Sequence, residues 1–129
     1  MFDATKGNTI ETHVRRPTPV GVFVGGDTPE GVSDMSGNAE EWTSSAWGGE
    51  DERVPEYGYP YDAHDGREDI HTGPACRRVM RGGSWDSYQG GARAAFRRYN
   101  RPVNRSINVG YRCVLSSPIS GEHCPLDAA

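Results

Sequence analysis

The sequence predicts an irregular, loop-rich fold built on short strands, and two observations carry that reading. The first is composition: of 129 residues only 34% are hydrophobic, while 17 are glycine and 9 are proline. Such a chain is dominated by turns. Three Trp, six Tyr and three Phe are nevertheless spread along it, so it has the material for a core and does not read as disordered. The second observation is periodicity. No internal repeat and no long amphipathic helix occurs, only brief alternations. The length allows one domain with a core that is small for its surface.

Taken in order, residues 1–16 are polar and aperiodic. Residues 17–23, PTPVGVF, predict a short extended segment, because proline excludes helix and Val20, Val22 and Val24 alternate. GGDTPEG reads as a turn. Residues 46–73 form an acidic and aromatic loop containing YGYPYDAHDGRED, and an aperiodic loop of that length is usually functional or fastened down. A solvated insertion is the plainer reading, although Asp62, Asp65 and Asp69 have a loose calcium-like spacing. RVMRGGSW, residues 78–85, predicts a strand ending in a glycine turn. Residues 92–99, ARAAFRRY, predict a helix on propensity, and residues 109–115, VGYRCVL, a final strand. Trp85 and Tyr111 are expected in the core, with Val79, Val109 and Cys113 on one buried sheet face. The last residues look frayed, so the expected domain is 1–116 with a tail at 117–129.

Charge excludes some functions. The net formal charge is -4, and nine arginines with no lysine lie between residues 77 and 112. Arginine without lysine favours planar, bidentate pairing inside a fold over attraction to phosphate, which argues against nucleic acid. Arg81, Arg93, Arg97 and Arg112 are expected to pair with carboxylates from the acidic stretch 27–69. No apolar run is long enough to span a membrane, and the first residues lack a secretion-signal layout, which leaves the compartment unassigned. Cys76, Cys113 and Cys124 form no C-x-x-C pair, and the four histidines show no ligand spacing.

The stretch DMSGNAEEWT, residues 34–43, combines carboxylates that want water or a cation with Met35 and Trp42, which want a core. A Gly-Asn turn separates them. Calcium takes six to eight oxygens from carboxylates and carbonyls. Asp34 and Glu41 bracket the turn so that both side chains can face one centre, with the Gly37 and Ala39 carbonyls completing the shell. On pattern alone, a turn with solvated carboxylates ahead of a strand competes with that reading.

GVSDMSGNAEEWTSS, then RVMRGGSW, RAAFR and NVGYRCV, with PTPVGVF upstream, resemble the formylglycine-generating enzyme (sulfatase-modifying factor) family across residues 8–115. The resemblance implies an α+β, C-type-lectin-like fold with short antiparallel strands and structural calcium. One site would use Asp34, Gly37, Ala39 and Glu41. A second would use Asn8 with the Thr9 and Val14 carbonyls, joined by an oxygen of Glu11 or Thr12. The match covers the C-terminal half of the family domain, which implies a piece of a longer chain.

Family oxidases convert a cysteine of a target polypeptide to formylglycine with copper held by two cysteines just beyond GGS. Residues 86–92, DSYQGGA, contain none, and Glu40 stands where active members usually have tryptophan. Ser84 matches a family active-site serine but is expected to lack an activating partner. The resemblance therefore implies a calcium-stabilised, non-catalytic binding or scaffold module, without copper, for a protein or peptide ligand. Two alternatives remain. One is an oxidoreductase of the same family whose catalytic groups lie in other sequence, similar to iron-dependent sulfoxide synthases that take metal ligands from a separate domain. The other is a retroelement-diversified ligand-display protein. Its surface would comprise Asp86, Ser87, Tyr88, Gln89, Gly90, Arg98, Tyr99, Asn100, Arg101, Val103, Asn104, Ser106, Ile107 and Asn108, beside Ser84 and Trp85. That mixture suits adaptable binding, although ordinary loop residues are the plainer reading.

Overall fold

The computed structural model describes residues 3–48 and 54–115. The expected tail at 117–129 lies outside the described residues, as do Cys124 and the acidic run 50–52. Four short strands form one mixed sheet in the order β3-β2-β1-β4. They are β1 (Glu40–Ala46), β2 (Arg78–Arg81), β3 (Arg98–Asn100) and β4 (Val109–Gly110). β1 pairs antiparallel with β2, through Glu41 opposite Arg81 and Trp42 opposite Met80, and the register shifts between Trp42 and Ala46. β2 pairs antiparallel with β3. β4 instead runs parallel to β1, so the expectation of antiparallel strands holds for three of the four. Among the described residues the helical elements are two 3₁₀ turns, Ile10–Thr12 and Val24–Gly26. The loop-rich architecture, with few helices and a small mixed sheet, is consistent with the α+β expectation.

β2 is the buried strand. Val79 and Met80 are adjacent and both buried, so both faces of the sheet are covered at this point. Around them the apolar core among the described residues is Ala46, Trp47 and Ala92. Trp47 stacks on Tyr99 of β3 with ring centroids 4.6 Å apart. More buried residues are polar: Asn8, Thr9, Asn38, Glu40, Arg67, Arg77 and Ser84. Hydrogen bonds therefore do much of the positioning that apolar packing does elsewhere, and each such group needs its partner.

The long acidic-aromatic loop shows this directly. Ser44 and Ser45 of β1 both donate to the Glu68 carboxylate. Arg67 forms an ion pair with Asp65 at 2.7 Å and donates to the Gly58 carbonyl. Arg78 of β2 reaches the Asp69 carbonyl and the Thr72 hydroxyl. The loop is fastened to the sheet by its polar groups, while most of its described residues face solvent.

Several expectations are corrected. Residues 17–23 form no strand: the chain turns at Gly21, φ 83, and Val20, Val22 and Val24 are all exposed. Residues 92–99 form no helix. They are turns leading into β3, because Tyr99 pairs with Val79 on the open edge of β2, and that ladder outweighs helix propensity. The final strand shortens to Val109–Gly110, and Tyr111 and Cys113 are exposed, so the buried alternation holds only at Val79. Met35 is 48% exposed and Trp42 half-buried, so neither anchors the loop in a deep core.

Candidate functional site

The turn at 34–39 organises the site. Asp34, Gly37 and Asn38 all adopt left-handed backbone, with φ 57, 85 and 67. Asn38 earns that conformation through its amide. Its Oδ1 accepts from the Thr18 backbone N–H at 2.9 Å, and its Nδ2 donates to the Thr18 carbonyl and to Asp34 Oδ2. Its backbone N–H meets the Asn8 carbonyl at 2.7 Å, and its carbonyl accepts from Trp85. One buried asparagine thus ties the 8–18 segment, the 34–39 turn and the GGSW turn together.

Around this turn lie the residues expected to hold calcium. Asp34 Oδ1 is buried without a hydrogen-bond partner. Glu41 is engaged differently: Arg112 donates through Nε and Nη2 to its two oxygens, each at 2.6 Å. The same guanidinium reaches the Ser33 and Asp34 carbonyls at 3.2 and 3.4 Å. A fixed cation, Arg112, therefore already joins Glu41 to the Asp34 backbone. At the other loop Asn8 and Thr9 are fully buried, and Val14 is exposed. Asn8 Oδ1 and the Thr9 carbonyl both accept from the Thr12 hydroxyl. The Thr9 hydroxyl lowers the Glu11 carboxyl below its ordinary range, with help from the Gln89 N–H. Both Thr9 Oγ1 and Glu11 Oε2 are buried, and neither makes a hydrogen bond of good geometry. Among the described residues no group of three or more His, Cys, Asp or Glu side chains gathers at one point.

The expected ligand residues divide into two groups. In the first, Ser84 is fully buried and donates to Asp86 Oδ1 at 2.6 Å. Its hydroxyl also meets that of Ser87. Asn108 donates to both Asp86 oxygens. Burial raises the Asp86 carboxyl, but the Ser84 and Asn108 hydrogen bonds outweigh it and hold it below the ordinary range. Asp86 is thus an ionised orienting group and a weak base. In the second group Tyr99, Asn100, Arg101 and Asn104 share a separate hollow with Arg77. Arg98 belongs to neither hollow; it pairs with buried Glu40 at 3.4 Å.

Glu40 is 2% exposed. Burial raises its carboxyl above the ordinary range, Arg98 draws it partly back, and Asp86 adds to the rise. The folded state therefore favours the protonated form. Its contribution is fully present below the unfolded value and is lost as pH climbs through the folded one. We expect Glu40→Gln to be more stable than the parent at neutral pH, with the advantage shrinking toward acid. Urea midpoints of both proteins from about pH 4 to about pH 8 check this; a difference that does not change with pH would refute it.

A cavity of about 570 Å³ opens beside the first group and is lined by Ile10, Glu11, His13, Arg15, Trp85, Asp86 and Tyr88. His13 and Arg15 are both left-handed, each with φ 58, an unusual density of strained backbone of the kind found at functional sites. Glu11 is anchored across the cavity mouth, its Oε1 accepting from the Gln89 N–H at 2.9 Å, while the Ile10 N–H donates to the Ser87 carbonyl. The cavity joins Trp85, Asp86 and Tyr88, which the sequence singled out, to His13 and Arg15, which it did not. No local motif marks those two; only the folding of 8–18 against the GGSW turn brings them there.

The chain matches the family model of the sulfatase-modifying factor enzyme 1-like domain over residues 3–117. It belongs to that family. This sulfatase-modifying-factor-like domain is also similar to hercynine oxygenase of Mycolicibacterium smegmatis, 37% identical over 102 residues, covering 76% of this chain and 22% of the relative. The Mycobacterium tuberculosis hercynine oxygenase is 35% identical over 101 residues, covering 75% and 21%. The serine/threonine-protein kinase pkn1 of Chlamydia pneumoniae is 35% identical over 88 residues, covering 66% of this chain and 13% of the kinase. The domain thus spans about a fifth or less of the length of these relatives.

Proposed function

We propose that this domain is the ligand-binding, non-catalytic wall of a larger oxidoreductase of the hercynine oxygenase kind, and that it holds a small zwitterionic, amino-acid-like molecule in the 570 Å³ cavity. The carrying observation is the cavity's lining. Trp85 and Tyr88 offer faces for an apolar or cationic group. Glu11 and Asp86, both held in their ionised forms, suit an ammonium, and Arg15 suits a carboxylate. The absence of cysteine from residues 86–92 supports placing the redox centre in other sequence. The similarity to hercynine oxygenases supports the choice of protein class.

Calorimetric titration with hercynine and with free aromatic amino acids tests the reading. Glu11→Gln and Trp85→Ala are each expected to weaken binding at least tenfold, about 1.4 kcal/mol. Absence of binding heat for every one of these ligands would remove it.

Calcium belongs to the same proposal as a stabiliser. The buried, unpartnered Asp34 Oδ1 fits a cation, and Glu41 joins it by exchanging Arg112 for the metal, with the Gly37 and Ala39 carbonyls completing the set. The ion would supply the fixed positive charge that a glycine-rich turn needs to hold its oxygens together. We expect calcium to raise the melting temperature relative to chelator, and Asp34→Ala to abolish the rise. Equal melting temperatures in calcium and chelator would dispose of the metal while leaving the cavity reading intact.

A further inference from the structure

A different feature lies away from that cavity, on the sheet beneath the acidic-aromatic loop. A cleft of about 150 Å³ is lined by Thr43 and Ser45 of β1, Val79 and Arg81 of β2, Tyr59, Tyr61 and Arg67 of the loop, and Arg97 just before β3. Three guanidiniums meeting in so small a space need an account. Arg67 has one: Asp65 binds its Nε and Nη2, and its guanidinium lies 4.8 Å from the Tyr61 ring centroid. The other two were expected to pair with carboxylates and do not.

Arg81 donates instead to the Ala94 and Phe96 carbonyls and, at 2.6 Å, to the Tyr59 hydroxyl. Arg97 donates to the Tyr57 carbonyl at 2.9 Å. Its guanidinium lies between two rings, 5.0 Å from the Trp47 centroid and 5.1 Å from that of Tyr59. Among the described residues neither has an ion-pair partner. Burial works against the charge of Arg97, and Arg81 and Arg67 add repulsion. Two carboxylates border the cleft: Asp65 on Arg67, and Glu68, which takes the Ser45 and Tyr61 hydroxyls. They leave the three guanidiniums with a net positive charge. Tyr59 completes the donor set, because its hydroxyl accepts from Arg81 and so keeps its own proton free to donate.

We infer that the cleft between β1, β2 and the 57–67 loop, walled by Arg81, Arg97 and Tyr59, is a binding site for a small oxyanion. The volume admits a phosphate, sulfate or carboxylate group and excludes anything as large as a nucleotide. Planar guanidinium forks are the donors best matched to such oxygens. Thr43 and Ser45 give their hydroxyl protons to the Val79 carbonyl and to Glu68, so the arginines and Tyr59 carry the recognition. The site is independent of the zwitterion cavity, which it shares no lining residue with.

The test uses inorganic phosphate, sulfate and acetate, titrated at constant ionic strength against sodium chloride. Intrinsic tryptophan fluorescence serves as one readout, because the ligand meets the guanidinium that covers Trp47, and calorimetry as the other. Saturable binding of any of the three is expected, and the order of affinities tells a tetrahedral group from a carboxylate. Arg97→Gln is expected to weaken it at least tenfold and Tyr59→Phe severalfold, while Glu11→Gln leaves it unchanged. Should Arg97→Gln fail to fold, Arg81→Gln carries the same expectation from a more exposed position. A response that does not saturate, that chloride reproduces, or that survives unchanged in both Arg81→Gln and Tyr59→Phe overturns the site.

Discussion

Replacing Trp47 by alanine is expected to cost about 3–5 kcal/mol, the usual range for removing a buried aromatic. Against a typical total stability of about 5–15 kcal/mol, that loss is a large fraction of the whole. The reason lies in how little apolar material is buried: among the described residues only Ala46, Val79, Met80 and Ala92 accompany it. Trp47 also joins separate parts of the chain. Its ring stacks on Tyr99 of β3 and carries the Arg97 guanidinium. Its backbone accepts from Glu56 and donates to Arg77. Trp47→Phe separates packing from chemistry. It keeps a ring and removes an indole N–H that is buried without a partner, so we expect it to cost far less than alanine. Urea unfolding of the two variants beside the parent decides the matter. An alanine variant within about 1 kcal/mol of the parent would show that the stack is not the centre of the core.

The second large effect falls on Gly37. Alanine there is expected to destabilise the protein by about 2–4 kcal/mol, through strained backbone and a clash together. The residue has φ 85, and a Cβ would overlap the Asn8 carbonyl oxygen. That oxygen cannot simply retreat, because it accepts the Asn38 N–H at 2.7 Å. Gly31 is the matched control. It has φ 80 but open space around it, so Gly31→Ala measures backbone strain alone, about 1 kcal/mol. Equal losses at the two glycines would mean that the close approach between the 34–39 turn and the 8–18 segment contributes nothing.

GN in DMSGNAEEWT announces a turn, and RVMRGGSW announces a strand and a glycine corner. Both are local statements about backbone, and both hold: β2 spans Arg78–Arg81, and Gly82 and Gly83 have φ 88 and 65. ARAAFRRY has local helix propensity and becomes turns followed by β3, because the edge of β2 offers Tyr99 a ladder and Trp47 a stacking partner. Arginine without lysine correctly anticipates bidentate pairing at Arg112 and Glu41. It fails at Arg81 and Arg97, which meet carbonyls, a tyrosine hydroxyl and rings supplied by distant loops in place of carboxylates.

The amino-acid order by itself determined the family, the loop-rich character and the strand and turns at GGSW and SGN, since glycine, proline and alternating apolar residues act within a few positions of themselves. Which side chains share a cavity was decided only in three dimensions. Glu11, His13 and Arg15 reach Trp85, Asp86 and Tyr88 because one buried asparagine, Asn38, hydrogen-bonds to the segments that carry them. A contact between residues 78 positions apart in the chain leaves no trace in local propensity; it depends on closing long loops around buried polar groups.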